Sequence, residues 1–145
     1  MPSITRVFSN IALDGPTVGI RFHIPIELEK KMQEEGMVQI PAPVEGDALI
    51  DTGASNCVIQ EDIPKKLGLQ PMDVVKINTP SCEGRECYRY FIRLIIPDQK
   101  IIYQGVFTAA PLKGQKIACL LGRDLLQHGV FIYIGYANEF TLSLG

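Results

Sequence analysis

Asp51 stands at the end of a short apolar run, in the stretch Ala48-Leu49-Ile50-Asp51-Thr52-Gly53-Ala54-Ser55. An ionised carboxylate at the edge of a core is costly unless it is paired or hydrogen-bonded. Asp and Gly are turn formers, so a cap on a strand end is one use for the position. Chemistry is the other, and three kinds fit. A phosphate-binding loop would set Asp51 and Gly53 beside a nucleotide. Nucleotide folds with such an acid-glycine loop need two large domains, and 145 residues are too few. The sequence also has no GxxxxGK[ST] phosphate cradle. A metal site would need a cluster of further donors, and no His or acid cluster lies near Asp51 in the sequence. Glu61 and Asp62 follow ten residues on, in a helix-start context. Neither a metal nor a cofactor is expected. The third kind is acid–base work by a carboxylate pair, which raises the question of where the second acid is.

More than the tripeptide bears on that question. The stretch ALIDTGAS is followed by NCVIQEDIPKKLGL, then by a long hairpin, and about seventy residues after the acid by LLGRDLL. These landmarks, in this order and at this spacing, resemble the retroviral-type aspartic proteases (retropepsins). The resemblance covers about residues 17–144. The chain before Asp51 is longer than in compact retroviral enzymes and is more like that of single-domain bacterial or cellular relatives. The resemblance implies a mainly β fold: a small closed barrel with one short C-terminal helix and one lobe per chain. It implies a single domain over 1–145, with residues 1–16 a loosely ordered extension.

The same resemblance assigns roles. Asp51 would be catalytic, with Thr52 and Gly53 in its loop. Thr52 would bond across to the opposite loop, and Gly53, lacking Cβ, would let two such loops approach. Ala54, Ser55 and Asn56 would line the floor beside a bound peptide. The hairpin at residues 81–87 would be the flap, with Gly84 at its tip and Cys82, Glu83 and Arg85 beside the substrate. Leu120, with Ala118, would form a pocket wall. Gly122, Arg123 and Asp124 would act structurally, Arg123 and Asp124 pairing locally and tying the helix to the loop. The chain holds one DTG and no DSG, and Asp14-Gly15 lacks the intervening hydroxyl residue. The partner acid would then be Asp51 of a second copy, related by a two-fold axis. The expected function is an aspartic endopeptidase active as a homodimer on peptide or protein substrates. A non-catalytic peptide-binding or assembly module on the same fold is the alternative.

The elements that must position these residues are mostly strands. Residues 17–26, 100–110 and 116–121 read as strands, and VFIYIG with EFTLSLG reads as a last hairpin with Asn138 in its turn. The final strand is expected to pair with its symmetry mate, as the family's termini do. Leu28 to Gly36 reads as a surface helix or a polar loop, and Met37 to Asp51 as a hairpin turning at Pro43 to Gly46. Asp73 to Ile96 reads as two strands around a turn near Glu83-Gly84. GRDLLQHG reads as a helix, with Asp124 at the positive end of its dipole.

Hydrophobic residues make up 46% of the chain and charged residues 21%, enough for a core. The net charge of -2 without a basic block argues against nucleic acid as a partner. No window is apolar for the length of a membrane span, and no secretory signal opens the sequence. A cytoplasmic protein is the expectation. Four cysteines, Cys57, Cys82, Cys87 and Cys119, then read as reduced thiols. Cys82 and Cys87 could still face each other across the hairpin, as a disulfide or half a metal site.

Overall fold

The computed structural model describes residues 1–36, 39–79, 82–112 and 116–145, with the side chains of 78, 79, 82 and 83 outside that description. The chain opens with β1 (Ser3–Val7), a one-turn helix α1 (Ile11–Asp14), β2 (Thr17–His23), α2 (Ile26–Glu34) and β3 (Val44–Ile50). It continues through β4 (Val58–Gln60), α3 (Asp62–Lys66), β5 (Asp73–Thr79), β6 (Cys82–Ile96) and β7 (Ile101–Ala110). β8 (Cys119–Leu121), α4 (Arg123–Leu126), β9 (Gly129–Ile134) and β10 (Glu139–Leu144) complete it.

Six strands close into a barrel in the order β2-β3-β8-β4-β7-β6, with β6 returning to β2 and β5 hanging on the outside of β6. Closure leaves those six strands without the open edges of a flat sheet. Inside, Phe22 and Phe107 meet edge to face at 6.2 Å, among fully buried Ile59, Ile92, Leu94 and Leu121. Each such side chain contributes roughly 1.5–3 kcal/mol by leaving water. The closed, mainly β barrel with few and short helices agrees with the fold class expected from the sequence.

A second sheet has the order β1-β10-β9. β10 shows the alternation of a half-buried strand: Phe140, Leu142 and Leu144 point inward. Outward, Thr141 bonds Thr5 at 2.8 Å and Ser143 bonds Ser3 at 2.6 Å across the β1–β10 ladder. Two expectations give way here. The first residues are not a loose extension, because β1 is laddered to β10 and both Ile4 and Ile11 are buried. β10 is not free for a symmetry mate either, because strands of its own chain flank it on both sides.

Two hairpins also differ from the sequence reading. Residues 39–43 form no strand, and Met37 and Val38 lie outside the described residues. Val44 to Gly46, read as part of a turn, instead opens β3, which pairs with β2 and β8. β5 and β6 do form an arm, in which Thr79 pairs with Cys82, and residues 80–81 between them lie outside the described residues. Gly84 is not the tip. It lies inside β6 with φ +71, at a register shift that sets two residues of β6 against one of β5, the signature of a β-bulge. Cys82 and Cys87 therefore follow one another along a single strand and do not face each other across two.

The stretch from Leu28 is a helix, not a loop. α2 lays Leu28 and Met32 on the core, and Glu29 receives Arg93 at 2.8 Å and His23 at 3.0 Å. Arg93 also donates to the carbonyl of Ile24 at 3.1 Å, and His23 contacts that of Pro41.

Candidate active site

β3 carries Asp51. Its Ala48, Leu49 and Ile50 lie parallel to Cys119, Leu120 and Leu121 of β8, and Ala48 and Ile50 are buried. The chain leaves the barrel at Asp51, whose N–H donates to the carbonyl of Leu121 at 2.9 Å. Asp51 is half-buried, at the start of an exposed loop formed by Thr52, Gly53, Ala54, Ser55 and Asn56. The loop turns on itself: Gly53 N–H donates to Asp51 Oδ1 at 2.9 Å, and Ala54 N–H to the Asp51 carbonyl at 3.2 Å. One carboxylate oxygen is thus held by a backbone donor, while no hydrogen bond is seen to the other among the described residues.

The start of α4 supports the loop from beneath. Arg123 Nη1 donates to the Thr52 carbonyl at 2.7 Å, and Arg123 N–H to that of Ala54 at 2.9 Å. Asp124 N–H donates to the Ser55 carbonyl at 3.2 Å. Asp124 Oδ2 accepts from Cys57 N–H at 3.1 Å, and its Oδ1 accepts from Leu125 N–H at 2.8 Å and from the Cys57 thiol at 3.1 Å. Gly122 must be glycine for this contact, since a Cβ there would lie 2.6 Å from Asn56 O. The GRD triplet ties helix to loop. Arg123 and Asp124 do so separately, each to the loop, and not by pairing with each other.

Leu120 is half-buried on β8, opposite Leu49 and Val58, and so joins the two strands that flank the loop. The arm residues are less closely associated with it. Gly84 sits in the bulge, and Arg85 donates to Glu61 at 3.1 Å, just before α3. Farther down the arm Arg89 clasps Asp73 through Nη2 and through Nε, the latter at 2.7 Å, and this guanidinium holds the Asp73 carboxyl below the usual carboxylate range. The backbone of Cys82 and Glu83 belongs to β6, and their side chains lie outside the description.

Sequence reasoning missed Cys57, taken for an idle thiol. Burial pushes it far above the ordinary thiol range, and the Asp124 charge adds to this. The local signal was its place directly behind the DTGASN loop. Glu61, read as part of a solvated helix start, is the arm's ionic partner. Among the described residues no group of three His, Cys, Asp or Glu could hold a metal ion, and no helix is long and apolar enough to cross a membrane.

Neither a family model nor a curated protein matches the sequence. Among solved structures, the chain is similar to the crystal structure of a retropepsin-like aspartic protease from Rickettsia conorii, with a TM-score of 0.52 and 16% identity. The match covers 97% of this chain and 89% of that one. At such identity the likeness is one of architecture, and in architecture this chain has the fold of a retropepsin-like aspartic protease.

Proposed function

We propose that the protein is an aspartic endopeptidase that works as a homodimer in the cytoplasm. The observation that carries this reading is the setting of Asp51. An acid leaves a buried barrel strand on a short Asp-Thr-Gly loop, with a backbone N–H on one carboxylate oxygen and a helix start clamped below. A turn cap would need the backbone contact alone, whereas this loop is fixed at four further points by residues far along the chain.

Two Asp51 carboxyls brought about 3 Å apart cannot both ionise, so they share one proton. The ionised member takes a proton from water while that water attacks the peptide carbonyl. The protonated member donates to the carbonyl oxygen, and the proton is returned to the leaving amine. The pair titrates as a unit. Ala54, Ser55, Asn56 and Leu120 would receive the peptide, with Cys82, Glu83, Gly84 and Arg85 approaching from the arm.

β10 is already paired on both sides, so the seam between copies must use another surface. The outer edge of β9 suits it. Gly129 to Ile134 carries no charge, exposes Val130 and Ile132, and follows α4, while Phe131 shares a hollow with Thr52 and Arg123. Cys57 and Cys119 are buried free thiols, which suits a reducing compartment.

A non-catalytic peptide-binding module is favoured by one observation, the ionic arm. Arg85 and Arg89 are committed to Glu61 and Asp73, which would hold a flap in one place. The two readings separate on Asp51→Asn. Peptidase activity with a bell-shaped pH profile, lost by about a thousandfold or more in the variant while the fold is kept, supports the protease. A variant that cuts as well as the wild type would refute it.

A further inference from the structure

Cys57 closes the candidate catalytic loop and immediately precedes β4. Its side chain is fully buried. Three polar contacts from the start of α4 converge on this one residue, while its carbonyl accepts from Thr108 N–H of β7 at 3.0 Å. Its N–H reaches Asp124 Oδ2 and its sulfur Asp124 Oδ1, both at 3.1 Å, and Gly122 N–H points at Sγ from 3.4 Å. An ionised carboxylate only accepts, so between sulfur and Asp124 the thiol is the donor. A thiolate there would set two negative charges side by side in the interior, and burial with the Asp124 charge keeps the proton on sulfur. Cys57 thus donates to the second residue of α4 and accepts from the residue that caps it.

We propose that Cys57 is a positioning residue of the candidate site: its thiol locks the Asp51 loop onto α4 and so fixes where the Asp51 carboxylate points. The proposal rests on the reading of Asp51 as catalytic. Within itself the loop makes three hydrogen bonds, Gly53 N–H to Asp51 Oδ1, Ala54 N–H to Asp51 O and Ser55 Oγ to Asn56 Oδ1. Asp51 N–H ties it to the Leu121 carbonyl of β8, and its other ties run to α4. Arg123 holds the near end at Thr52 and Ala54, and at the far end Cys57 holds the Asp124 side chain while Asp124 N–H holds the Ser55 carbonyl. Loosening the far end lets the loop shift against the strands beneath. A displacement of about 1 Å at reacting groups costs roughly a hundredfold in rate.

Valine and threonine at position 57 separate the hydrogen bond from the volume. Both are β-branched and suit the start of a strand, but only threonine restores a donor. In the full-length protein, Cys57→Val is expected to lower kcat by about ten- to a hundredfold with KM within about twofold. Cys57→Thr is expected to recover kcat to within about threefold of wild type. Amide exchange of Gly53 and Ala54 should quicken in the valine variant and return to the wild-type rate in the threonine variant, with core amides of β7 unchanged in both. Equal kcat and equal exchange in the two variants would overturn the proposal. If the wild-type protein cuts no peptide, the protease reading fails, and the exchange of Gly53 and Ala54 alone then decides the role of the thiol. Should Cys57→Val not fold, Cys57→Ala against Cys57→Ser makes the same comparison.

Discussion

At the scale of the residue, the interior around the candidate site is a small polar cluster in an apolar barrel. Cys57 and Cys119 are fully buried thiols, and burial raises both above their ordinary value. Tyr103, within reach of Cys57 and Asp124, is pushed up to about 12 by burial. These shifts have a consequence for stability. Below about pH 9 the folded and unfolded chains hold the thiol protons equally. Above it the unfolded chain releases them while the folded chain keeps them, so stability falls as pH rises. Each thiol contributes a slope of up to about 1.4 kcal/mol per pH unit. Urea unfolding between pH 8 and pH 11 should show this decline, and Cys119→Ala should make it shallower. A flat profile would mean that the thiols are not buried as described. Asp51 was legible in the sequence because its motif is local. Cys57 was not, because the carboxylate that gives it meaning lies 67 residues away.

At the scale of the element, strands with clear alternation were readable, β10 above all, and so was the short helix that follows LLG. The errors share a physical cause. Gly46 and Gly84 were both read as turn glycines. Gly46 lies within β3, where a Cβ would stand 2.7 Å from that of Ala118, so it serves close packing beside β8. Gly84 uses its positive φ for a bulge. Local turn chemistry does not distinguish these uses, which depend on a neighbouring strand. β1 escaped notice for a related reason: five residues near a terminus become a strand only through β10. The α2 segment had no assignable role because its anchor is tertiary, with Glu29 held by Arg93 and His23. Glu29→Ala leaves both partners without their carboxylate in a half-buried setting. It should destabilise the fold by about 1–3 kcal/mol, read from the urea midpoint. A change within error would show that α2 is held by its apolar contacts alone.

At the scale of the whole molecule, one barrel supplies one Asp51. The proposed chemistry needs two, so it calls for a pair of chains whose two-fold axis would run between the loops. The uncharged outer edge of β9, a candidate for that seam, adjoins the loop through α4. The sequence indicated that a second copy was needed but placed the seam on β10. Only the ladder of β10 with β1 and β9 rules that strand out. The most direct test of paired catalysis is to mix wild-type chains with Asp51→Asn chains at fixed total concentration and measure peptidase activity. If each site needs Asp51 from both copies, mixed dimers are dead and activity follows the square of the wild-type fraction. An equal mixture then retains about a quarter of the activity of pure wild type. Retention of half, falling in proportion to the wild-type fraction, would mean that one chain suffices and would contradict the account.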